Sequence, residues 1–285
     1  MATPPARTAT QDLRAVMEML FPESFIQEVV GGGTNPSAST PSFTHPFANT
    51  NDFTYNTRVP TITSDTLDDT LVVYIDPAYS DSAYASATGI ALCSAMGDKI
   101  VLLGLEQVKQ ATDIVQVNEN IVAACVSIMV YVLLAHQHAL KRCLIVIERN
   151  MAASASYTIA KKVNELLRMR LSDKIRVAFL HHRGTESCIP RIGYMLGAEK
   201  ATIMSDMATL FNEHVLVAST AVQSLTLDQP VDELCAELSN FVQTPKGSYS
   251  GKTRRGKRDD LAVSFLMSCH FVLRRNNVDD LAFPL

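Results

Sequence analysis

Three acidic positions in this chain stand on supports that an ordinary surface carboxylate lacks. Asp76 ends LVVYID, a run of bulky and β-branched residues, and is followed at once by Pro77. Glu148 ends CLIVIE in the same manner, ahead of Arg149 and Asn150. Asp259 and Asp260 open DDLAVSFLM, where Leu261, Val263, Phe265, Leu266 and Met267 have to pack inward. Each position has a bland explanation. Asp76 suits a turn before proline, Glu148 suits a cap on the next helix, and an aspartate suits the positive end of a helix dipole. Taken together, acids at two buried strand ends and at the start of an apolar helix call for a common cause.

Carboxylates packed together repel one another and hold their protons unless a cation compensates them. Four acids, Asp76, Glu148, Asp259 and Asp260, form a hard-oxygen donor set suited to Mg²⁺ or Mn²⁺ rather than zinc. Two such ions about 3.5–4 Å apart make a phosphoryl-transfer site, one generating hydroxide and the other stabilising the leaving oxygen. In this reading Asp76 bridges the ions while Glu148 and the final aspartates complete their shells. The stretch just upstream, KGSYSGKTRRGKR, carries Lys246, Lys252, Arg254, Arg255, Lys257 and Arg258 among glycines. Alone it reads as a solvated face. Beside an acid cluster it is a candidate arm for a phosphate backbone.

The elements that must position these groups are legible from residue 71 onward. Strands are expected at 71–76, 88–96 and 99–108, the last two joined by Gly97-Asp98, a two-residue hairpin signal. A long apolar helix follows over about 112–138. Then come a buried strand at 143–148, a helix at about 153–170 with a stripe through Ile159, Val163 and Leu166, and a strand at 176–182. Helices near 199–213 and 230–242 flank a short apolar segment at 215–219, and a final helix runs from about Asp259 to Arg275. Hairpin strands first and helix-linked strands later give an α/β domain with a mixed sheet covered by helices on both faces. That order suits an RNase H-like fold. Residues 1–70, rich in Gly, Ser, Thr and Pro through GGGTNPSASTPSFTHPF, read as a partly flexible linker or arm, and 71–285 as the domain.

The totals exclude several classes. With 285 residues, 47% hydrophobic and 19% charged, the chain is a globular protein with ample core. Its net charge of −4 gives no global attraction to nucleic acid, so a basic surface has to be local. The opening residues lack the apolar stretch of a signal peptide. The most apolar window, 121–135, is shorter than the ~20 residues that span a bilayer, so a core helix is expected and no membrane contact. Six cysteines without CxxC spacing read as buried free thiols.

Rival motifs fall short. GSYSGKT is one residue too short for a phosphate-binding P-loop, and neither a strand before it nor a helix after it is expected. His136 and His138, two apart on a helix, point to nearly opposite sides. No GxSxG nucleophile elbow occurs.

YIDPAYSDSAYASATGIALCSA with IVLLGLEQV, then CLIVIERN, then KRDDLAVSFLMSCHFVL, together resemble the C-terminal nuclease domain of herpesvirus terminase large subunits. The resemblance covers about 70–285, and FPESFIQEVVGGGT looks like the linker that leaves the ATPase half. It implies an RNase H-like fold and a divalent-metal endonuclease that cuts concatemeric viral double-stranded DNA into genome units in the host nucleus. It also implies Asp76, Glu148 and one of Asp259 or Asp260 as metal-binding acids, and further terminase subunits and the capsid portal as partners. The alternative is a catalytically decayed RNase H-like module that binds DNA or serves as a scaffold.

Overall fold

The computed structural model describes residues 45–47, 50–55, 58–59, 62, 66–79, 86–109, 113–148, 153–171, 175–182, 200–245, 247–252 and 258–282. Its elements in chain order are α1 (Thr50–Tyr55), β1 (Arg58–Val59), β2 (Thr70–Asp76), β3 (Thr88–Met96), β4 (Lys99–Val108), α2 (Ile114–Ala135), β5 (Arg142–Glu148), α3 (Ala153–Arg170), β6 (Arg176–His182), α4 (Lys200–Asn212), β7 (Leu216–Gln223), α5 (Pro230–Leu238), β8 (Val242–Gln243), β9 (Tyr249–Ser250) and α6 (Asp260–Ala282).

Seven strands form one sheet in the order β1-β7-β4-β3-β2-β5-β6. The antiparallel part is β2-β3-β4; β5 runs parallel to β2, and β6 parallel to β5. Gly97, with φ +62, supplies the left-handed residue that closes the β3–β4 hairpin. Parallel neighbours on a sheet covered on both faces explain the unbroken apolar runs of β2 and β5.

Strand alternation divides the core in two. Leu71, Val73 and Ile75 of β2 and Cys143, Ile145 and Ile147 of β5 pack with Ile121, Cys125 and Met129 of α2 and Ile159 and Val163 of α3. Val72, Tyr74, Leu144 and Val146 face the other way, into the cluster of Ile203 and Met207 from α4, Leu234 from α5 and Leu261, Phe265 and Leu266 from α6. Asp76 and Glu148, next in the alternation, belong to this second face.

The described residues belong to a compact unit that begins at Phe43, not at residue 71. Phe47 and Phe53 are buried among Phe211, Phe241 and Phe265, and β1 adds a parallel edge strand to β7. Composition hid this, because four aromatic contacts outweigh a polar neighbourhood. The helix expected to reach 242 stops at Leu238. Ser239 and Asn240 there donate side-chain hydrogen bonds to the Ala236 carbonyl, 2.9 and 2.6 Å, and the chain turns so that Phe241 and Val242 enter the core. The segment at 215–219 is the start of the longer strand β7.

Among the described residues, α2 is the one helix long and apolar enough to cross a membrane by length and composition. One face of it, through Val117, Ile121, Ile128 and Val132, is buried against the sheet. Within GSYSGKT, Tyr249 and Ser250 form the second strand of the small β8–β9 hairpin, where Thr244 N donates to the Ser248 carbonyl at 2.7 Å. Among the described residues, Cys93, Cys125, Cys143 and Cys269 are buried thiols outside any disulfide.

Candidate functional site

Ile75 pairs with Ile147 across the parallel β2–β5 ladder, so the next residue on each strand is an acid. Because the strands are parallel and in register, Asp76 and Glu148 leave the sheet side by side on one face. Pro77 cannot donate to a ladder, and β2 ends there. Asp76 is partly exposed, whereas Glu148 is buried and accepts a hydrogen bond from the Tyr74 hydroxyl at 3.0 Å. Burial raises the Asp76 carboxyl well above the usual range, and the nearby Glu148 charge adds to that effect.

The third acid reaches this face from α6. The strand partner of Asp76 on β3 is Gly89. A Cβ at Gly89 would collide with the Asp260 carbonyl and lie 2.8 Å from Ser264 Oγ. Glycine therefore lets the first turn of α6 rest directly on the sheet. Asp260 Oδ2 accepts from Ala87 N at 2.8 Å, tying the helix start to the residues entering β3. Asp259 Oδ2 accepts from Gly251 N at 2.9 Å, another close approach: a Cβ at Gly251 would stand 2.7 Å from Asp259 Cβ. Burial raises the Asp260 carboxyl, partly offset by the Ala87 N–H and by Lys252.

Two lysines supply the positive charge these acids require. Lys200 Nζ lies 3.4 Å from both Glu148 oxygens. Burial opposes its charge, yet Asp76, Glu148 and Asp259 outweigh that and raise its pKa. Lys252 Nζ lies 3.1 Å from Asp259 Oδ1 and 3.8 Å from Asp260 Oδ1, and also bonds Ser86 Oγ. Arg258 donates to Gln107 Oε1 at 3.2 Å from an exposed position. Lys246, Arg254, Arg255 and Lys257 lie outside the described residues.

Asp76, Glu148, Asp259 and Asp260 thus gather at one end of the sheet. The donor set is carboxylate oxygen throughout, which suits Mg²⁺ or Mn²⁺ in kind. Among the described residues, however, no three Asp, Glu, His or Cys side chains converge as a ready metal site. Sequence reasoning passed over Tyr74, Lys200 and Glu237. Lys200 carried one signal: it is the first residue of α4, where a cation opposes the helix dipole unless acids face it. Glu237, on α5, accepts from Leu261 N at 2.7 Å and Ala262 N at 3.1 Å.

Comparison with known proteins agrees with this architecture. Residues 3–284 match the family model described as "Probable DNA packing protein, C-terminus". The chain is 27% identical over 266 residues to tripartite terminase subunit 3 of human cytomegalovirus strain Merlin, covering 90% of this chain and 39% of that protein. To the subunit of the same name from equine herpesvirus 1 strain Ab4p it is 26% identical over 275 residues, covering 90% and 37%. The chain therefore spans less than half the length of these relatives. Among solved structures, the human cytomegalovirus terminase nuclease domain superposes with a TM-score of 0.63 at 23% identity, over 78% of this chain and 92% of that one. Its Mn-soaked form gives 0.62 at 22%, over 81% and 95%. The fold is RNase H-like, a mixed sheet flanked by helices on both faces. Matched almost from end to end, the chain belongs to the DNA-packing protein family and corresponds to its C-terminal part.

Proposed function

We propose that this chain is a divalent-metal-dependent endonuclease that cuts concatemeric viral double-stranded DNA during genome packaging, with little sequence readout. The observation that carries the reading is the pair of in-register parallel strands ending in Asp76 and Glu148, faced by Asp260 from a helix seated on Gly89. Asp76, Glu148 and Asp260, with Asp259 beside them, would hold Mg²⁺ or Mn²⁺, in a two-ion site by the chemistry of such clusters. The bound cation supplies Lewis-acid polarisation of the scissile phosphate and a nucleophile at neutral pH.

The remaining roles belong to the chain itself. Tyr74 fixes the orientation of Glu148 through its hydroxyl. Lys200 and Lys252 keep the acids ionised by offsetting their mutual repulsion. Lys246, Arg254, Arg255, Lys257 and Arg258, with Lys252, engage DNA phosphates ahead of the site. The related subunits carry the word tripartite in their name, which supports other terminase subunits as partners. The capsid portal as a further partner and the host nucleus as the location belong to the same proposal.

Nicking of supercoiled plasmid in Mn²⁺ tests the reading. D76N should abolish nicking while leaving the circular dichroism and melting of the fold intact; cleavage at the parental rate would reject the assignment.

A second reading, a decayed DNA-binding scaffold, is favoured by one observation: lysines already pair with Glu148 and Asp259, and no ready three-ligand set exists among the described residues. Calorimetric titration with Mn²⁺ separates the two readings, because a decayed site shows no saturable binding.

A further inference from the structure

The start of α6 is held by an acid from another helix. An α-helix leaves its first N–H groups without partners, and a side chain immediately ahead of the helix ordinarily takes them. Here Asp259 stands in that position, but its Oδ2 is committed to Gly251 N and its Oδ1 lies 3.1 Å from Lys252. Asp260 Oδ2 is committed to Ala87 N. The amides of Leu261 and Ala262 instead donate to one oxygen, Oε2 of Glu237, at 2.7 and 3.1 Å.

The placement of Glu237 makes sense only with respect to α6. It sits in the last turn of α5, the negative end of that helix dipole, where a carboxylate is disfavoured. It is buried at 9% exposure, a costly place for an acid unless strong donors face it. Both penalties are offset by the positive end of α6 and its two N–H groups. The other carboxylate oxygen, Oε1, receives a long hydrogen bond of 3.5 Å from Gln107 Nε2, and Gln107 Oε1 in turn accepts from Arg258 at 3.2 Å. The residue just before Gln107, Glu106, is itself buried and accepts from Thr226 N at 2.9 Å, so this end of β4 is fixed to the loop after β7. Glu237 thus ties α6 to α5 and to β4, whose Gln107 is the ladder partner of Gly89.

We propose that Glu237 is a positioning residue for the acidic site. By capping α6 from outside it fixes where Asp260 stands against Asp76, and it leaves the Asp259 and Asp260 carboxylates to Gly251, Lys252 and Ala87 rather than to the helix amides. The proposal rests on the nuclease reading above and adds a residue to it.

The test compares the parent chain with E237A, E237Q and E237D by three measurements: plasmid nicking as a function of Mn²⁺, thermal unfolding, and amide hydrogen exchange at Leu261 and Ala262. Loss of a residue that orients a metal ligand typically costs about 10–100-fold in metal affinity or activity. E237A is expected to need about tenfold more Mn²⁺ for half-maximal nicking, with the KM for DNA unchanged and with faster exchange at those two amides. E237Q, whose amide oxygen keeps both hydrogen bonds, should restore the parental metal dependence. Should E237A fail to fold, E237D decides, since it keeps the charge but withdraws it by one methylene; it should also raise the Mn²⁺ requirement. Parental Mn²⁺ dependence in a folded E237A, or in E237D where E237A does not fold, overturns the proposal while leaving the nuclease reading standing. A parent chain that does not nick rejects the nuclease reading and this inference with it.

Discussion

Gly89 on β3 and Asp260 on α6 meet with no space for a side chain between them, a methyl at Gly89 falling 2.8 Å from the Asp260 carbonyl carbon. Helix and sheet touch through peptide atoms at this point. The same glycine is the ladder partner of Asp76, so backbone contact sets the separation between the two aspartates. Substituting alanine at Gly89 forces one element to retreat, and β3 is bonded on both edges. The helix is the element that gives way. Overpacking of this kind costs about 1–3 kcal/mol. G89A should therefore unfold at lower denaturant and lose nicking even at temperatures where it is fully folded. Parental activity in folded G89A would show that Asp260 does not need its seat.

Lys200 offsets the charge of Glu148, which is 5% exposed, while the lysine itself is 40% exposed. Removing one partner of a buried pair is strongly destabilising, and solvent screening reduces that figure here to about 1–2 kcal/mol. K200M should melt earlier than the parent in chelator. Added Mn²⁺ should raise the melting temperature of K200M more than that of the parent, because a cation then replaces the missing charge. Equal shifts in the two proteins would separate Lys200 from the cation-binding acids.

Burial raises Glu237 from 4.5 to about 7, and burial likewise raises Asp76 and Asp260. At these groups the native state therefore binds more protons than the unfolded chain between pH 4.5 and about 7, and their contribution to stability falls as pH rises through that window. Asp69 works in the opposite sense: burial would raise it, but hydrogen bonds from Arg142 win and lower it, so its contribution disappears only as pH falls below the ordinary aspartate range. Melting in metal-free buffer should show the decline toward neutral pH, and E237Q should flatten it. A melting temperature that climbs from pH 5 to 7 would contradict this electrostatic picture.

With a net charge of −4, the proposed DNA binding would fall to the basic stretch before Asp259. Replacing Arg254, Arg255 and Lys257 by glutamine should weaken filter binding uniformly across sequences. The slope of log affinity against log salt should shrink by about 0.9 for each phosphate that is no longer neutralised. An unchanged slope would remove that stretch from the DNA-binding surface.

The sheet was legible because buried parallel strands write themselves as continuous apolar runs, and because Gly97-Asp98 names its own turn. LVVYID and CLIVIE announced both strands and the acids at their ends. What stayed hidden depends on partners far away in sequence. Phe47 and Phe53 look like stray aromatics in a polar arm until Phe211, Phe241 and Phe265 surround them. Glu237 reads as one more surface acid in PVDELCAEL until α6 presents its amides. Lys252, counted among the DNA-facing cations, also lies 3.1 Å from Asp259 Oδ1, a pairing its local sequence did not announce. Local composition cannot encode a contact whose other half lies many residues away.

The two-residue alternation of β2 has a consequence for how this chain can change. Deleting any single residue between Leu71 and Ile75 would rotate the carboxylate of Asp76 to the opposite side, into the hydrocarbon beneath α2, and would swing a bulky aliphatic group toward Glu148. Valine and isoleucine can stand in for one another along that strand, but its length has no such latitude: the count of residues ahead of Asp76 is as much a part of the chemistry as the acid itself.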